Sequence, residues 1–182
     1  MRVIAGTARR RVLVAPVGNH TRPTSDRAKE GLFSMIQHYL AQAVFLDLFC
    51  GSGAIGIEAL SRGAAQAVFV DNDRHALAAL TANLAHTQLA AQAEVLPLAA
   101  EVAIRQLSPL GRRYDIIFLD PPYQSEHVTA TVQQLHSTNL LAEDGLLVVE
   151  QKELAPAPKT DFALEQVRCY GRTAFLFYRY KS

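Results

Sequence analysis

Short runs of consecutive apolar residues recur along the chain and alternate with stretches of helical periodicity. Strands are predicted over residues 44–49, 67–71, 93–98, 115–120 and 145–150, the third being weakened by Pro97. Between them, helices are predicted over residues 53–63 and 73–88, from the end of the third strand to about residue 107, and over 126–138. Near-continuous apolar strands joined by helices are typical of a parallel sheet that is covered on both faces.

Both ends of the chain add elements to this alternating core. Residues 2–14 read as a short strand pair, a loop with two prolines and a glycine follows, and a helix is predicted from Ser25 to about Leu40. Residues 163–169 and 173–180 read as a closing antiparallel hairpin. We therefore predict an α/β fold with a seven-stranded, mostly parallel sheet, a closing hairpin, and an N-terminal β-hairpin arm and helix.

Length and composition favour one domain that covers residues 1–182. No apolar run approaches the roughly 20 residues of a membrane span, and the N-terminus lacks a signal-peptide pattern, so a cytoplasmic protein without a membrane partner is expected. Two cysteines are too few for a disulfide framework. The six histidines form no metal-ligand spacing with one another or with cysteine, so no metal is predicted.

The formal net charge of +1 is unevenly distributed. Residues 1–30 carry seven basic and two acidic side chains, a net of +5, and the rest of the chain carries −4. Residues 1–24 are therefore interpreted as a basic N-terminal arm. Such an arm on a mildly acidic body suggests a polyanionic partner, although charge alone fits a solvated arm equally well.

Three unusual sequences follow predicted strands: "DLFCGSGAIG" at 47–56, "VDND" at 70–73 and "DPPY" at 120–123. Parallel sheets bind ligands outside the carboxyl ends of their strands. The three sequences are therefore expected to meet at one edge of the sheet and to form one site.

The first of these sequences contains a glycine motif that allows two interpretations. Residues 51–56 match G-x-G-x-x-G, and Asp71 lies 20 positions after Gly51, which is the pattern of a dinucleotide site. However, Asp47 stands near the end of the preceding strand, where a carboxylate would repel a pyrophosphate and attract an ammonium or a sulfonium ion. The chain also shows only one mononucleotide-binding unit, whereas a dinucleotide-binding fold has two, which argues against an oxidoreductase that uses NAD.

The stretch "LDLFCGSGAIGIEAL" resembles the first motif of the S-adenosylmethionine-dependent methyltransferases. This resemblance implies a Rossmann-like class I methyltransferase fold. It implies that the Gly51–Gly53 backbone approaches the amino-acid end of the cofactor, with Asp47 near its ammonium group. Asp71 would accept from the ribose hydroxyls; the alternative is that Asp71 caps the next helix. Backbone groups near Leu98 are expected to hold the adenine. The expected cofactor-binding set is Asp47, Phe49, Gly51, Ser52, Gly53, Asp71, Asn72, Leu98, Ala99 and Asp120.

The "DPPY" stretch suits the methylation of an amine on a planar base. Asp120 and the Pro121 carbonyl offer acceptors for the two amine hydrogens, and the consecutive prolines make the turn rigid. Tyr123 can stack on the base. Acceptors placed where positive charge develops on nitrogen would stabilise the transition state. Asp120, Pro121 and Tyr123 are therefore the candidate catalytic residues, and an ordinary strand-ending turn is the alternative.

Nearly the whole chain resembles the bacterial 16S ribosomal RNA guanine-N2 methyltransferases. The resemblance rests on "RVIAGTARRRVL", "TRPTSDRAKEGLFSMI", "LDLFCGSGAIGIEALSRGA", "FVDNDRHAL" and "IIFLDPPY", in this order. It implies methyl transfer to N2 of one guanine in small-subunit ribosomal RNA, free or within a 30S particle, by a monomeric enzyme. The candidate RNA-binding residues are Arg9, Arg10, Arg11, Arg22 and Arg27.

Other functions stay open at this point. An adenine-N6 DNA or RNA methyltransferase is the first alternative, because "DPPY" is common in such enzymes, although 182 residues leave no room for an added target-recognition domain. A non-catalytic RNA-binding protein on the same scaffold is another, and the intact glycine, Asp71 and "DPPY" elements argue against it.

Overall fold

The computed structural model of the protein describes residues 1–16, 24–121 and 125–181, without the side chains of residues 125 and 126. Its helices are α1 Asp26–Ile36, α2 Ala54–Ser61, α3 Arg74–Thr87, α4 Ala100–Leu107 and α5 Ser125–Thr138. Its strands are β1 Val44–Leu48, β2 Gln66–Val70, β3 Ala93–Leu96, β4 Tyr114–Leu119, β5 Leu141–Lys152, β6 Ala163–Tyr170 and β7 Thr173–Arg179. None of the helices in these ranges is long and apolar enough to cross a bilayer.

The seven strands form one sheet in the order β3-β2-β1-β4-β5-β7-β6. Strands β1 to β5 are parallel, and β7 is inserted antiparallel between β5 and β6. The predicted mostly parallel sheet with a closing hairpin is thus confirmed. The chain runs outward in one direction from β1 to β3 and then returns to β4 on the other side of β1, so the topological switch point lies between β1 and β4.

Both faces of the sheet are buried, which explains why its strands read as continuous apolar runs. Phe45, Phe69 and Phe118 point to one face, in the hydrophobic cluster that includes residues of α1, α2 and α3. Their neighbours along the strands, such as Leu46 and Ile117, point to the other face, which α4 and α5 cover. Successive side chains alternate between the faces, so each position of a central strand meets a helix layer.

The N-terminal residues pack onto the first of these clusters. Val3, Ala8 and Leu13 are buried in it. The predicted hairpin is present as a single antiparallel bridge between Arg2 and Val12. The backbone between them turns twice, with a positive φ of 71° at Arg10, so few residues are left to pair as strands.

Helix α1 begins as predicted but is shorter. The Ser25 hydroxyl accepts a hydrogen bond from the Ala28 amide at 3.2 Å and caps its first turn. The α-helix ends at Ile36, and a short 3₁₀ turn continues to Tyr39. The apolar periodicity runs through both, which is why the sequence predicts one longer helix.

Candidate active site

Four carboxylates lie at or next to the carboxyl ends of the central strands. Asp47 is in β1, Asp71 follows β2, Asp120 follows β4, and Glu150 is near the end of β5. Asp47 pairs with Phe118 across the β1–β4 ladder, and Asp120 comes two residues later, so both carboxylates lie on the same face. The three sequences singled out above therefore do meet at the switch point.

The loop after β1 is held open towards this edge. The Gly51 amide donates to Asp71 Oδ2 at 2.8 Å, and the Cys50 amide donates to the Val70 carbonyl at 3.0 Å, so the loop is fixed to the end of β2. Gly51 has a φ of 55°, and a Cβ added there would meet no atom within 4 Å. The backbone at Gly51 is thus accessible to a ligand.

Gly53 has a different role from Gly51. It is the residue before α2 and has a φ of 77°, and a Cβ there would lie 2.3 Å from Leu80 Cδ1. Gly53 therefore allows the start of α2 to pack closely on α3. Ser52 lies between the two glycines, is buried, and its hydroxyl faces the Met1 sulfur at 3.9 Å.

Asp71 fixes the loop and is not the cap of helix α3. Its Oδ1 accepts from the Asp73 amide at 2.9 Å, while Oδ2 accepts from Gly51. Asp73 is the residue that caps α3, because its side chain accepts from the amides of the helix's first turn. The alternative that Asp71 caps the helix is therefore wrong. Asp71 is partly exposed beside the open loop, and Asn72 is exposed.

Asp47 lies beneath the glycine loop and is only 1% exposed. Its Oδ2 accepts from the Gly56 amide in α2 at 2.9 Å. Burial, with smaller contributions from the charges of Asp71 and Glu150, raises the pKa of Asp47 to about 7, although the Gly56 hydrogen bond opposes this shift. A positively charged ligand at this edge would stabilise the ionised carboxylate.

Asp120 and Glu150 are neighbours on adjacent strands. They follow the paired residues Leu119 and Val149 of β4 and β5. Burial, and then the charge of Glu150, raise the pKa of Asp120 well above its usual range. Burial also raises the pKa of Glu150 to about 7, while a 2.8 Å hydrogen bond from the Thr24 hydroxyl to its Oε2 opposes this shift.

A cavity of about 510 Å³ lies beside Glu150 and beside Pro121, the residue after Asp120. Pro121 and Glu150 line one side of it, the first half of α5 lines another, and the segment Ala155–Lys159 closes it. Its size is in the range of small-molecule pockets. It lies on the β4–β5 side of the switch point, whereas the open glycine loop lies on the β1–β2 side.

Leu98 and Ala99 lie at the far end of this edge, after β3. Both are partly exposed, and Ala99 precedes the first turn of α4. The Leu98 amide is already bonded to the Leu96 carbonyl at 2.8 Å. Phe49 leaves β1 with a φ of 60° and packs against the cluster on the α4 and α5 face.

The candidate RNA-binding arginines do not all have free side chains. Arg9, Arg10 and Arg27 are exposed. Arg11 instead donates to the His86 carbonyl and, at 3.3 Å, to Gln88 Oε1, which ties the arm to the end of α3. Arg22, and the candidate catalytic residue Tyr123, lie outside the described residues.

Two buried polar side chains that the sequence reading missed connect the N-terminal residues to the site. Asn83 on α3 is paired with both backbone groups of Val14, at 2.7 and 2.9 Å, and donates to the Ser52 carbonyl at 2.9 Å. Glu58 on α2 accepts from the Ile4 and Ala5 amides at 2.8 and 3.0 Å. The arm is therefore linked to the glycine loop through Asn83, and it is bonded to α2 through Glu58.

Metal chemistry receives no support from side-chain clusters in the described ranges. In residues 1–16, 24–121 and 125–181, no group of three or more His, Cys, Asp or Glu side chains is arranged to hold a metal ion.

The strand order, the helices on both faces and the polar switch point define the Rossmann-like fold of the methyltransferases. The chain belongs to the family described as Conserved hypothetical protein 95, whose model matches residues 1–179.

Curated relatives and solved structures match over almost the full length. The chain is 38% identical over 181 residues to the protein named "Putative rRNA methyltransferase YlbH" from Bacillus subtilis, covering 98% of each. It is 34% identical to Ribosomal RNA small subunit methyltransferase D from Escherichia coli K12, covering 98% of this chain and 89% of that protein. The solved structure "Putative methyltransferase yhhF from Escherichia coli" has 35% identity and a TM-score of 0.85, covering 99% of this chain and 98% of that one.

Proposed function

We propose that this protein is an S-adenosylmethionine-dependent methyltransferase that methylates the N2 amine of a guanine in small-subunit ribosomal RNA. The observation that carries the proposal is the meeting of the open glycine loop and Asp71 with Asp120 and Pro121 across the β1–β4 switch point. The names of the Bacillus and Escherichia relatives support ribosomal RNA as the substrate.

The described residues fit this cofactor. The backbone is open at Gly51, where the cofactor's amino-acid end would approach, and Asp71 is partly exposed beside it for the ribose hydroxyls. Asp47 and Asp120 carry raised pKa values, so a ligand with an ammonium and a sulfonium group would bind where positive charge is favoured. S-adenosylmethionine supplies, when bound, a methyl group activated by the positive charge of its sulfonium.

Asp120 has two tasks in the reaction. Its carboxylate accepts a hydrogen bond from the target amine and so favours the positive charge that grows on nitrogen. When the nitrogen has gained the methyl carbon, it must lose one proton, and Asp120 is the acceptor. Its raised pKa suits this second task, because a more basic carboxylate holds the proton more readily than an ordinary aspartate.

Pro121 and Tyr123 complete the set of residues that we propose to hold the target base. The Pro121 carbonyl is the second acceptor for the amine, and the Tyr123 ring stacks on the base. Pro121 is buried at the wall of the cavity, so it lies where a base that enters the cavity would pass.

The RNA is held outside the cavity by the exposed arginines. Arg9, Arg10 and Arg27 can bind phosphates, and one guanine leaves its stack to reach Asp120. With ribosomal RNA as its substrate, the enzyme acts in the cytoplasm, and we propose that it does so as a monomer.

Transfer of labelled methyl from S-adenosylmethionine to small-subunit ribosomal RNA tests the proposal. The RNA is offered free and within 30S particles, then digested to nucleosides and separated by chromatography. The proposal predicts label in N2-methylguanosine from one of these substrates. Label in N6-methyladenosine, or no transfer to either substrate, would overturn it.

A further inference from the structure

Glu150 is a carboxylate of the site to which the proposed reaction gives no task. It follows the β5 residue that pairs with Leu119, as Asp120 follows Leu119 itself, so the two side chains lie next to each other on one face of the sheet. Glu150 also lines the cavity together with Pro121. A base that places its amine at Asp120 therefore brings the atom next to that amine towards Glu150.

The orientation of Glu150 is fixed by a neighbour. The Thr24 hydroxyl donates to Glu150 Oε2 at 2.8 Å, which satisfies one carboxylate oxygen and favours the ionised form. Among the described residues no donor bonds the other oxygen, Oε1, so it is left for a ligand in the cavity that Glu150 lines. In its ionised form, Glu150 presents an acceptor, and not a donor, to whatever enters.

Guanine and adenine differ in the atom that this acceptor would meet. The N2 amine of guanine adjoins N1–H, which is a donor, whereas the N6 amine of adenine adjoins N1, which is a lone-pair acceptor. A carboxylate beside the amine pairs with the first and repels the second. Enzymes read flipped bases by hydrogen bonds to the Watson–Crick edge, which contains both of these atoms.

We propose that Glu150 is the specificity-determining residue that accepts N1–H of the target guanine while Asp120 and the Pro121 carbonyl hold its N2 amine; this rests on the proposed function. A site built to accept an N–H rejects an analogue that lacks it, because buried polar groups are then left unpaired. Adenine is excluded by the same contact.

Replacement of the target guanine by 2-aminopurine gives a direct test. This base keeps the 2-amine but carries a lone pair at N1. Single-turnover rates at saturating RNA are measured on both bases with the wild-type protein and with Glu150→Gln. In the variant, Thr24 still donates to the amide oxygen, so the amide NH₂ faces the cavity and suits N1 of 2-aminopurine.

The guanine to 2-aminopurine rate ratio should fall by about 10- to 100-fold in Glu150→Gln, as expected when a hydrogen bond to a charged group is lost. Loss of O6 in 2-aminopurine affects both proteins alike and cancels in the comparison. The matched control is Glu153→Gln, which removes an exposed charge three residues along the chain and should leave the ratio unchanged.

Thr24→Val is a second variant that keeps Glu150 but removes the bond that orients it. It should lower the same ratio, and it carries the test if Glu150→Gln does not fold. Melting temperature and S-adenosylmethionine affinity are measured for each protein. If the wild type methylates guanine N2 and neither variant changes the ratio, the role of Glu150 is refuted and the proposed function stands. If the wild type does not methylate guanine N2, the proposed function itself fails.

Discussion

Replacing Glu58 by glutamine should lower the stability of the fold far more than the replacement of any charged residue on the surface. Glu58 is fully buried and accepts from Lys29 Nζ at 3.1 Å, Arg62 Nε at 2.8 Å and the amides of Ile4 and Ala5. Glutamine keeps one acceptor oxygen, loses the charge, and turns an NH₂ group towards donors. The change therefore disrupts the hydrogen bonds and ion pairs by which one residue of α2 holds α1 and the N-terminal residues together.

The magnitude follows from what is left behind. Lys29 is 1% exposed, and burial already lowers its pKa, with Glu58 the main opposing influence. Among the described residues, the Arg2 carbonyl is the hydrogen-bond partner that Lys29 would keep without Glu58. Breaking a buried ion pair on one side costs about 3–5 kcal/mol. In a chain of this length, a loss of about 4 kcal/mol lowers the melting temperature by roughly 8–16 °C.

Urea unfolding followed by circular dichroism measures this loss, since the chain contains no tryptophan. The matched control is Glu165→Gln, which breaks the exposed pair with Arg179 and should cost less than about 1 kcal/mol. Lys29→Met in the Glu58→Gln background should recover part of the stability, because no unpaired ammonium remains. A Glu58→Gln protein within about 1 kcal/mol of the wild type would refute the reasoning.

Three further predictions concern ligand binding. Asp71→Ala should weaken S-adenosylmethionine binding by about 1.5–3 kcal/mol while the fold survives; unchanged affinity in calorimetry would remove Asp71 from the site. Gln substitutions at Arg9 and Arg10 should weaken RNA binding and make the slope of log K against log salt shallower, without changing cofactor affinity; an identical slope would show that these arginines are merely solvated. Asp47 and Glu150 have pKa values near 7, above those of the unfolded chain, so their contribution to stability is present at acidic pH and is lost as the pH rises through about 7. The ligand-free protein should therefore lose stability between about pH 4 and pH 8, less steeply in Asp47→Asn, while affinity for the sulfonium cofactor rises; a cofactor affinity that falls over this range would contradict the assignment.

The central sheet could be predicted from the sequence because both of its faces are buried. Residues 116–119 and 146–149 are apolar at every position, so these strands could be predicted without knowing their register or the packing of the helices. The start of β5 at Leu141 was missed, since Glu143, Asp144 and Gly145 interrupt the apolar run. The N-terminal hairpin was overestimated, because a pattern of apolar and basic residues does not show that the backbone turns at Arg10.

The site was predictable where one short motif carries the chemistry, and not where distant residues combine. Glu150 follows a run of four apolar residues, as Asp71 and Asp120 also follow apolar runs, and that position alone could have marked it. Glu58 is the one charged residue between Gly53 and Ser61. A lone charge in an apolar helix indicates that it has a buried partner, but the sequence does not identify that partner. Asn83 bonds to Val14, 69 positions away, and Arg11 bonds to His86, 75 positions away, so only the fold shows what they hold.

Single-turnover methyl transfer by Asp120→Ala, beside its S-adenosylmethionine affinity and melting temperature, tests most directly that the β1–β4 switch point performs the reaction. The account predicts a rate lower by about 10²–10³ with cofactor affinity almost unchanged, because Asp120 faces the amine. Asp120→Asn keeps one acceptor oxygen and should retain partial activity. A fully active Asp120→Ala protein, or one whose loss of rate follows its loss of stability, would contradict the account.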